Sequence, residues 1–419
     1  MTVRHAHGKR KSLFSRYFSW PGLFILSALV LGGGTRTALA SDFMLQLLAL
    51  PLLWRMIMNM PRKLPWPAGI FMLALAVLFV WQLWPSWSPG ELTFPHTLDA
   101  GRTIHAMLIV LVPVALFYNV LLMPAHRRAR LAAWFMAGVA LNAGMAFLQF
   151  ASRTFAQLAQ PFSWTMKAGF FANENHLAAL LVMTVPVLIA LFRKTPWPYL
   201  SAPFVLLLVM FEMVVGSRAG VAMILASAMT SYLLLTLRPW KGLLAILLIL
   251  SATVFALWRN GPLWLETLMP KGNFNRLGFW KNTWRALQDH FPWGTGLDTF
   301  TLVYPKYENQ TDIISLYVNH AHNDWLELLL EGGAFSIALA ILFLAAMIYG
   351  LAKNHSNMLV KAAFLAAVFI MIHSLLDYPL RTLALSVSFA LWLAFILADW
   401  HEDEHSQRPA RRHRREERT

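Results

Sequence analysis

Apolar runs of about 17–25 residues recur along almost the whole chain, and each is long enough to cross the hydrocarbon core of a bilayer. The composition agrees. Of the 419 residues, 58% are hydrophobic and only 13% charged, against about 25% charged in a soluble domain. Short alternating segments, which would mark a transmembrane β-barrel, are absent from the sequence. The expected fold is therefore an all-α polytopic membrane protein. The runs fall near 20–34, 42–59, 67–84, 103–122, 131–150, 176–192, 199–216, 219–237, 240–258, 333–352, 360–376 and 382–399, which makes about 12 transmembrane helices.

Charge orders these runs across the bilayer. Arg4, Lys9, Arg10, Lys11 and Arg16 precede the first run. Arg127, Arg128 and Arg130, then Arg193 and Lys194, then Arg238 and Lys241, then Lys353 and Lys361 occupy alternate short loops. The positive-inside rule places those loops and both termini in the cytoplasm. The first run reads as a signal anchor, although Ala38-Leu39-Ala40 resembles a signal-peptidase site. A net charge of +15 thus has a topological origin, and nucleic acid is not expected as a partner. The 18 Trp residues suit interfacial aromatic belts. With no cysteine in the chain, disulfides, thiolate catalysis and Cys-type metal sites are excluded. The organisation expected is a bundle of about nine spans over 1–258, a long outer segment over 259–332 that is partly helical, three last spans over 333–400, and a basic cytoplasmic tail over 401–419 that anchors to lipid headgroups.

The candidates for chemistry fall on the outer face. Residues 275–285 have helical periodicity, with Trp280, Trp284 and Leu287 on one face and Lys281, Arg285 and Asp289 on another. Such a helix is expected to lie on the outer membrane surface. Arg276 stands at its start. The Pro292-Trp293-Gly294-Thr295-Gly296-Leu297 stretch reads as a turn, because a phosphate loop needs a preceding strand and a third glycine. Arg218 lies between Gly216-Ser217 and Ala219-Gly220, where two apolar runs meet with almost no loop. A guanidinium at that depth needs a partner or a bound anion, and the small neighbours let a bulky anion approach. Asn173, Glu174 and Asn175 precede the sixth run, where they cap a helix or bind sugar hydroxyls. Asp377 and Arg381 are expected to form a structural ion pair in the last outer turn, near His373. Arg36 in the first outer loop reads as a surface charge.

The densest polar stretch is Asn319-His320-Ala321-His322-Asn323-Asp324-Trp325-Leu326-Glu327, closed by Glu331-Gly332-Gly333. His322 is the best candidate base, with His320 competing and Asn323, Asp324 and Glu327 as support. A His-x-His pair can chelate, but no Asp-x-Asp and no obvious third ligand accompanies it, so no metal is expected.

The His322-Asn323-x-Trp325-Leu326 motif, followed by Glu331-x-Gly333 and an apolar run, resembles the signature of the O-antigen ligase and polymerase superfamily. The Gly-Ser-Arg218-Ala-Gly turn and the Arg276…Trp280…Pro292-x-Gly294-x-Gly296 pattern are similar to it too. So is Phe171-Ala-Asn-Glu-Asn175, although Glu174 stands where that family has proline. The resemblance covers about 165–335. It implies a glycosyltransferase in the bacterial inner membrane, with its active site facing the periplasm. The donor would be a glycan on undecaprenyl pyrophosphate and the acceptor a hydroxyl of lipid A-core, with membrane lipids as surroundings and no metal or cofactor. That chemistry needs cations for an anionic leaving group, a role the planar fork of arginine fits, and a base that titrates near neutrality. Arg218 and Arg276 would hold the pyrophosphate and His322 would activate the acceptor, inverting the anomeric centre. His320, Asn323, Asp324, Glu327 and Asn175 would support them. The rivals are an O-antigen polymerase or protein O-oligosaccharyltransferase of the same superfamily and, from another class, a lipid-linked glycan transporter. No pair of matching interrupted spans supports the transporter.

Overall fold

The computed structural model describes residues 19–34, 38–59, 64–88, 91–151, 167–235, 276–308 and 318–400, with single positions 247 and 251. The basic N-terminal stretch, Arg36, the expected ninth span at 240–258 and the basic tail lie outside the described residues. Eight helices come first: α1 Trp20–Leu31, α2 Ala38–Asn59, α3 Trp66–Gln82, α4 Ala100–Leu121, α5 Ala125–Ala151, α6 Glu174–Phe192, α7 Ser201–Val215 and α8 Arg218–Leu235. α9 Arg276–His290 and the single turn α10 Phe300–Val303 belong to the long segment before the last spans. α11 Asp324–Lys353, α12 Met358–His373 and α13 Leu383–Leu397 complete the bundle.

Each expected span other than 240–258 coincides with a helix. Among the described residues six helices are long and apolar enough to cross a membrane, and α1, α3, α12 and α13 are shorter apolar helices. The described residues also hold one antiparallel strand pair, β1 Ser86–Ser88 with β2 Glu91–Thr93, which the all-α expectation did not include.

Packing follows hydropathy. α6 is buried on every side from His176 to Ala190, and α13 is buried along most of its length. Helices that are apolar all round belong in an interior. The outer helices nevertheless expose Leu47, Trp54, Leu73, Val80, Leu108, Phe147, Leu207 and Ile341. In water this surface would drive aggregation, whereas lipid chains cover it at no cost. The chain is a polytopic helical membrane protein.

α11 is two helical arms rather than one rod. Gly333 has φ 57° and ψ −145°, a combination that essentially only glycine adopts. The Pro292–Leu297 turn enters this break and takes up the main-chain groups it frees. Ala334 N donates to Pro292 O at 2.8 Å, Thr295 N to Leu330 O at 3.1 Å and Gly296 N to Glu331 O at 2.9 Å. Gln82 Nε2, at the end of α3, donates to Glu331 O at 3.1 Å. The approach is close: a Cβ on Gly294 would stand 2.5 Å from Glu331 O. The two glycines of this turn thus serve as a clamp on α11, in agreement with the reading of a turn.

Candidate functional site

The first arm of α11, 324–332, presents its N-terminus to the loop that carries His322. Asn323 caps the arm, its Oδ1 accepting from Leu326 N at 3.0 Å. His322 has φ 52°, a left-handed conformation that costs a non-glycine residue about 1–2 kcal/mol. Its surroundings fix it there. Trp280 Nε1 donates to His322 O at 3.2 Å, and Asp324 N donates to Ser374 O at 2.9 Å. The imidazole is largely buried, edge-on to Tyr378 at 4.7 Å, with Nδ1 at 3.0 Å from Asp377 Oδ1.

Asp377 is the hub. Its Oδ1 also accepts from Tyr378 N at 3.0 Å, and its Oδ2 accepts from Asn175 Nδ2 at 2.5 Å and from Arg276 Nη2 at 3.2 Å. Arg276 Nη1 donates to Leu376 O at 2.7 Å. Asn175 Oδ1 in turn accepts from Ser217 Oγ at 2.8 Å. Ser217 immediately precedes Arg218, the exposed first residue of α8. Three distant segments that carry Arg218, Arg276 and His322 are therefore joined through one carboxylate and one amide.

The electrostatics of this hub are definite. Burial pushes the Asp377 carboxyl up, but the His322 hydrogen bond and the charges of His176, His322 and Arg276 outweigh it and hold the group well below the usual carboxylate range. Tyr378 moves the other way, pushed up to about 12 by burial and the Asp377 charge against hydrogen bonds to Asn173 and Asn319. An ionised carboxylate on Nδ1 holds the imidazole proton there, so any proton taken from a substrate arrives at Nε2.

A second network lies behind the first. Asp324, Glu327 and Glu331 fall at i, i+3 and i+7, one buried face of the arm. Arg381 meets all three, with Nη2 at 2.8 Å from Glu331 Oε2 and 3.4 Å from Glu327 Oε1, and Nε at 3.7 Å from Asp324 Oδ1. Burial pushes the Arg381 guanidinium down, while the carboxylates of Glu327, Glu331 and Asp324 together push it further up. His320 points into this group, Nδ1 at 2.9 Å from Glu327 Oε1. Burial lowers its pKa, but the Glu327 charge and hydrogen bond more than offset this and raise it above the ordinary value.

These contacts sort the expectations. His322, Arg276, Asn175 and the Arg218 turn come together. His320, Asp324 and Glu327 brace the arm through Arg381, and Asn323 is a cap. The capping expectation at α6 holds for Asn173, whose Oδ1 accepts from Asn175 N at 2.9 Å. The expected Asp377–Arg381 pair does not form, because Asp377 turns to Arg276 and His322 while Arg381 turns to α11. The i, i+4 geometry that would join them needs a continuous helix, and Pro379 allows only a short 3-10 turn over Pro379–Arg381. The face expected of α9 also shifts. Phe279, Asn282, Thr283, Ala286 and Leu287 are buried against protein, whereas Trp284 is exposed beside Lys281 and Arg285. Among the described residues no set of three His, Asp or Glu side chains is arranged to hold a metal ion.

Comparison with protein families matches residues 202–341 to the family described as O-antigen ligase. This segment, about a third of the chain, is similar to the O-antigen ligase family. The matched region runs from α7 into the second arm of α11 and contains Arg218, Arg276 and His322. Comparison with curated proteins gives no match. The likeness supports an enzyme of the glycosyltransferase-like ligase and polymerase kind. Asn175 and Asp377 lie outside the matched segment and enter the candidate site through geometry alone.

Proposed function

We propose that this protein is an O-antigen ligase that transfers a glycan from undecaprenyl pyrophosphate to a sugar hydroxyl of lipid A-core, on the periplasmic face of the bacterial inner membrane. The observation that carries the reading is the His322–Asp377 pair, linked directly to Arg276 and through Asn175 to the Arg218 turn. In the proposed step, His322 Nε2 takes the proton of the acceptor hydroxyl as its oxygen attacks the anomeric carbon. The bond from that carbon to the pyrophosphate oxygen breaks, and its electron pair leaves with the phosphate. Attack from the face opposite the leaving group inverts the centre. Asp377 remains ionised and stabilises the imidazolium that forms. Arg218 and Arg276 hold the pyrophosphate and offset the charge it gains. The set is complete without a metal or cofactor. Twelve spans with both termini in the cytoplasm would put these groups on the periplasmic side.

Purified protein in lipid nanodiscs, given the lipid-linked glycan and lipid A-core, should form the joined product. His322→Ala should lower the rate by about 10²–10⁴-fold, the usual worth of a general base, while the protein keeps its melting temperature. Unchanged transfer by that variant rejects the base assignment. Transfer to a second lipid-linked repeat, but not to lipid A-core, would instead make the protein a polymerase. Glycan movement across the bilayer without a new bond would make it a transporter.

A further inference from the structure

Aromatic rings gather at the Gly333 break, at the other end of the arm from His322. The Trp81 indole, on the last turn of α3, stacks on the His96 imidazole with centroids 3.8 Å and planes 24° apart. Trp293 leans toward both, 5.6 Å from Trp81 and 6.2 Å from His96, and Phe335 backs Trp81 at 5.0 Å. Trp293 is 56% exposed, yet its turn is fixed by the main-chain hydrogen bonds that clamp α11. The loop of His96 is tied to the same turn, Leu98 N donating to Thr295 O at 2.9 Å.

Lone tryptophans at a membrane surface serve as interfacial anchors. This group differs in two respects. Two of its rings are stacked and the others lean against them on hydrogen-bonded main chain, and one of the rings is an imidazole, a polar neighbour that acyl chains would desolvate at a cost. A sugar ring fits such a surface better. Its C–H face meets the negative π face of an indole, while its hydroxyls stay at the rim with water and the imidazole nitrogens. The spacing also fits. From Asp324 to Gly333 the helical rise amounts to about 14 Å, a distance that a short run of linked sugar rings covers.

We propose that Trp293, His96 and Trp81 form a binding platform for sugar rings of the transferred glycan beyond the one at the reacting centre. The proposal rests on the ligase reading given above. A platform of this kind adds binding that is the same in the ground and transition states, so it lowers KM and leaves kcat alone.

The test uses full-length protein in nanodiscs and two donors: undecaprenyl pyrophosphate carrying the source bacterium's own intact O-antigen, and the same lipid carrying only its first sugar. Trp293→Ala should raise KM for the long donor about threefold to tenfold and leave kcat and the single-sugar donor unchanged. His96→Ala should act in the same direction, and Trp293→Phe should stay near wild type. Equal changes with both donors, or none with either, would overturn the platform and leave a membrane anchor. A second measurement separates this proposal from the reading beneath it. Saturation-transfer NMR with the free O-antigen oligosaccharide should show contact with wild type that Trp293→Ala loses. Contact without any transfer would count against the ligase reading and for the platform, and absence of contact with wild type would overturn the platform.

Discussion

At the scale of single residues, Asp377 decides how much the other groups can do. Its two oxygens accept from His322 Nδ1, Tyr378 N, Asn175 Nδ2 and Arg276 Nη2. Asp377→Asn keeps the volume but puts an NH2 where an acceptor is needed, so either a facing donor is stranded or the imidazole carries its proton on the wrong nitrogen. We expect kcat for glycan transfer to fall about 10²–10⁴-fold; a variant with wild-type kcat would remove Asp377 from the mechanism. Linkage gives a second readout. Because the folded carboxyl lies below its unfolded value, its contribution to stability is complete above about pH 4 and drains away as pH falls toward the folded value. Melting temperature measured through the acid range should therefore fall less steeply for Asp377→Asn than for wild type. His322, Arg276 and Asn175 were legible because each breaks an apolar context with a polar run. Asp377 was not, since its partners are dozens of positions away. The nearest opposite charge in sequence is Arg381, which faces another helix.

At the scale of elements, the break in α11 sets where the functional arm ends. The hydropathy pattern located the start of the tenth span at 333, but it could not show that the helix resumes there after a glycine-only turn. That depends on the Pro292–Leu297 clamp, which comes from a different part of the chain. The same limit applies to α9, whose periodicity was readable while its buried face was not. Tryptophan suggests a lipid-facing stripe, yet the stripe that packs on protein includes Asn282 and Thr283. Gly333→Ala tests the clamp. The backbone conformation alone should cost about 1–3 kcal/mol, and the added methyl would also collide with Pro292 O. We expect a lower melting temperature together with reduced transfer, because the displaced arm carries Asp324, Glu327 and Glu331 away from Arg381. A variant that melts and transfers like wild type would show that the arm is not held by this contact.

At the scale of the whole molecule, span positions were legible because lipid imposes a length and a polarity on every crossing segment. What charge counting missed is that a basic loop residue can also be structural. Arg128 is 3% exposed. It donates to the carbonyls of Val120, Met123 and Asp399 and lies 4.6 Å over the Trp400 ring, so it ties the end of the bundle to the α4–α5 loop. The alternation of loops makes a prediction that this residue does not disturb. Because the chain has no cysteine, single cysteines can report sidedness without removing native thiols. Leu98 and Gln288 are exposed on the side of His322, and Trp197 and His355 are exposed in the opposite loops. In intact cells permeable only at the outer membrane, an impermeant maleimide should label Leu98→Cys and Gln288→Cys. It should reach Trp197→Cys and His355→Cys only after the inner membrane is opened. The reverse pattern would put the His322 network in the cytoplasm, where a periplasmic acceptor could not reach it, and the ligase reading would fail with the topology.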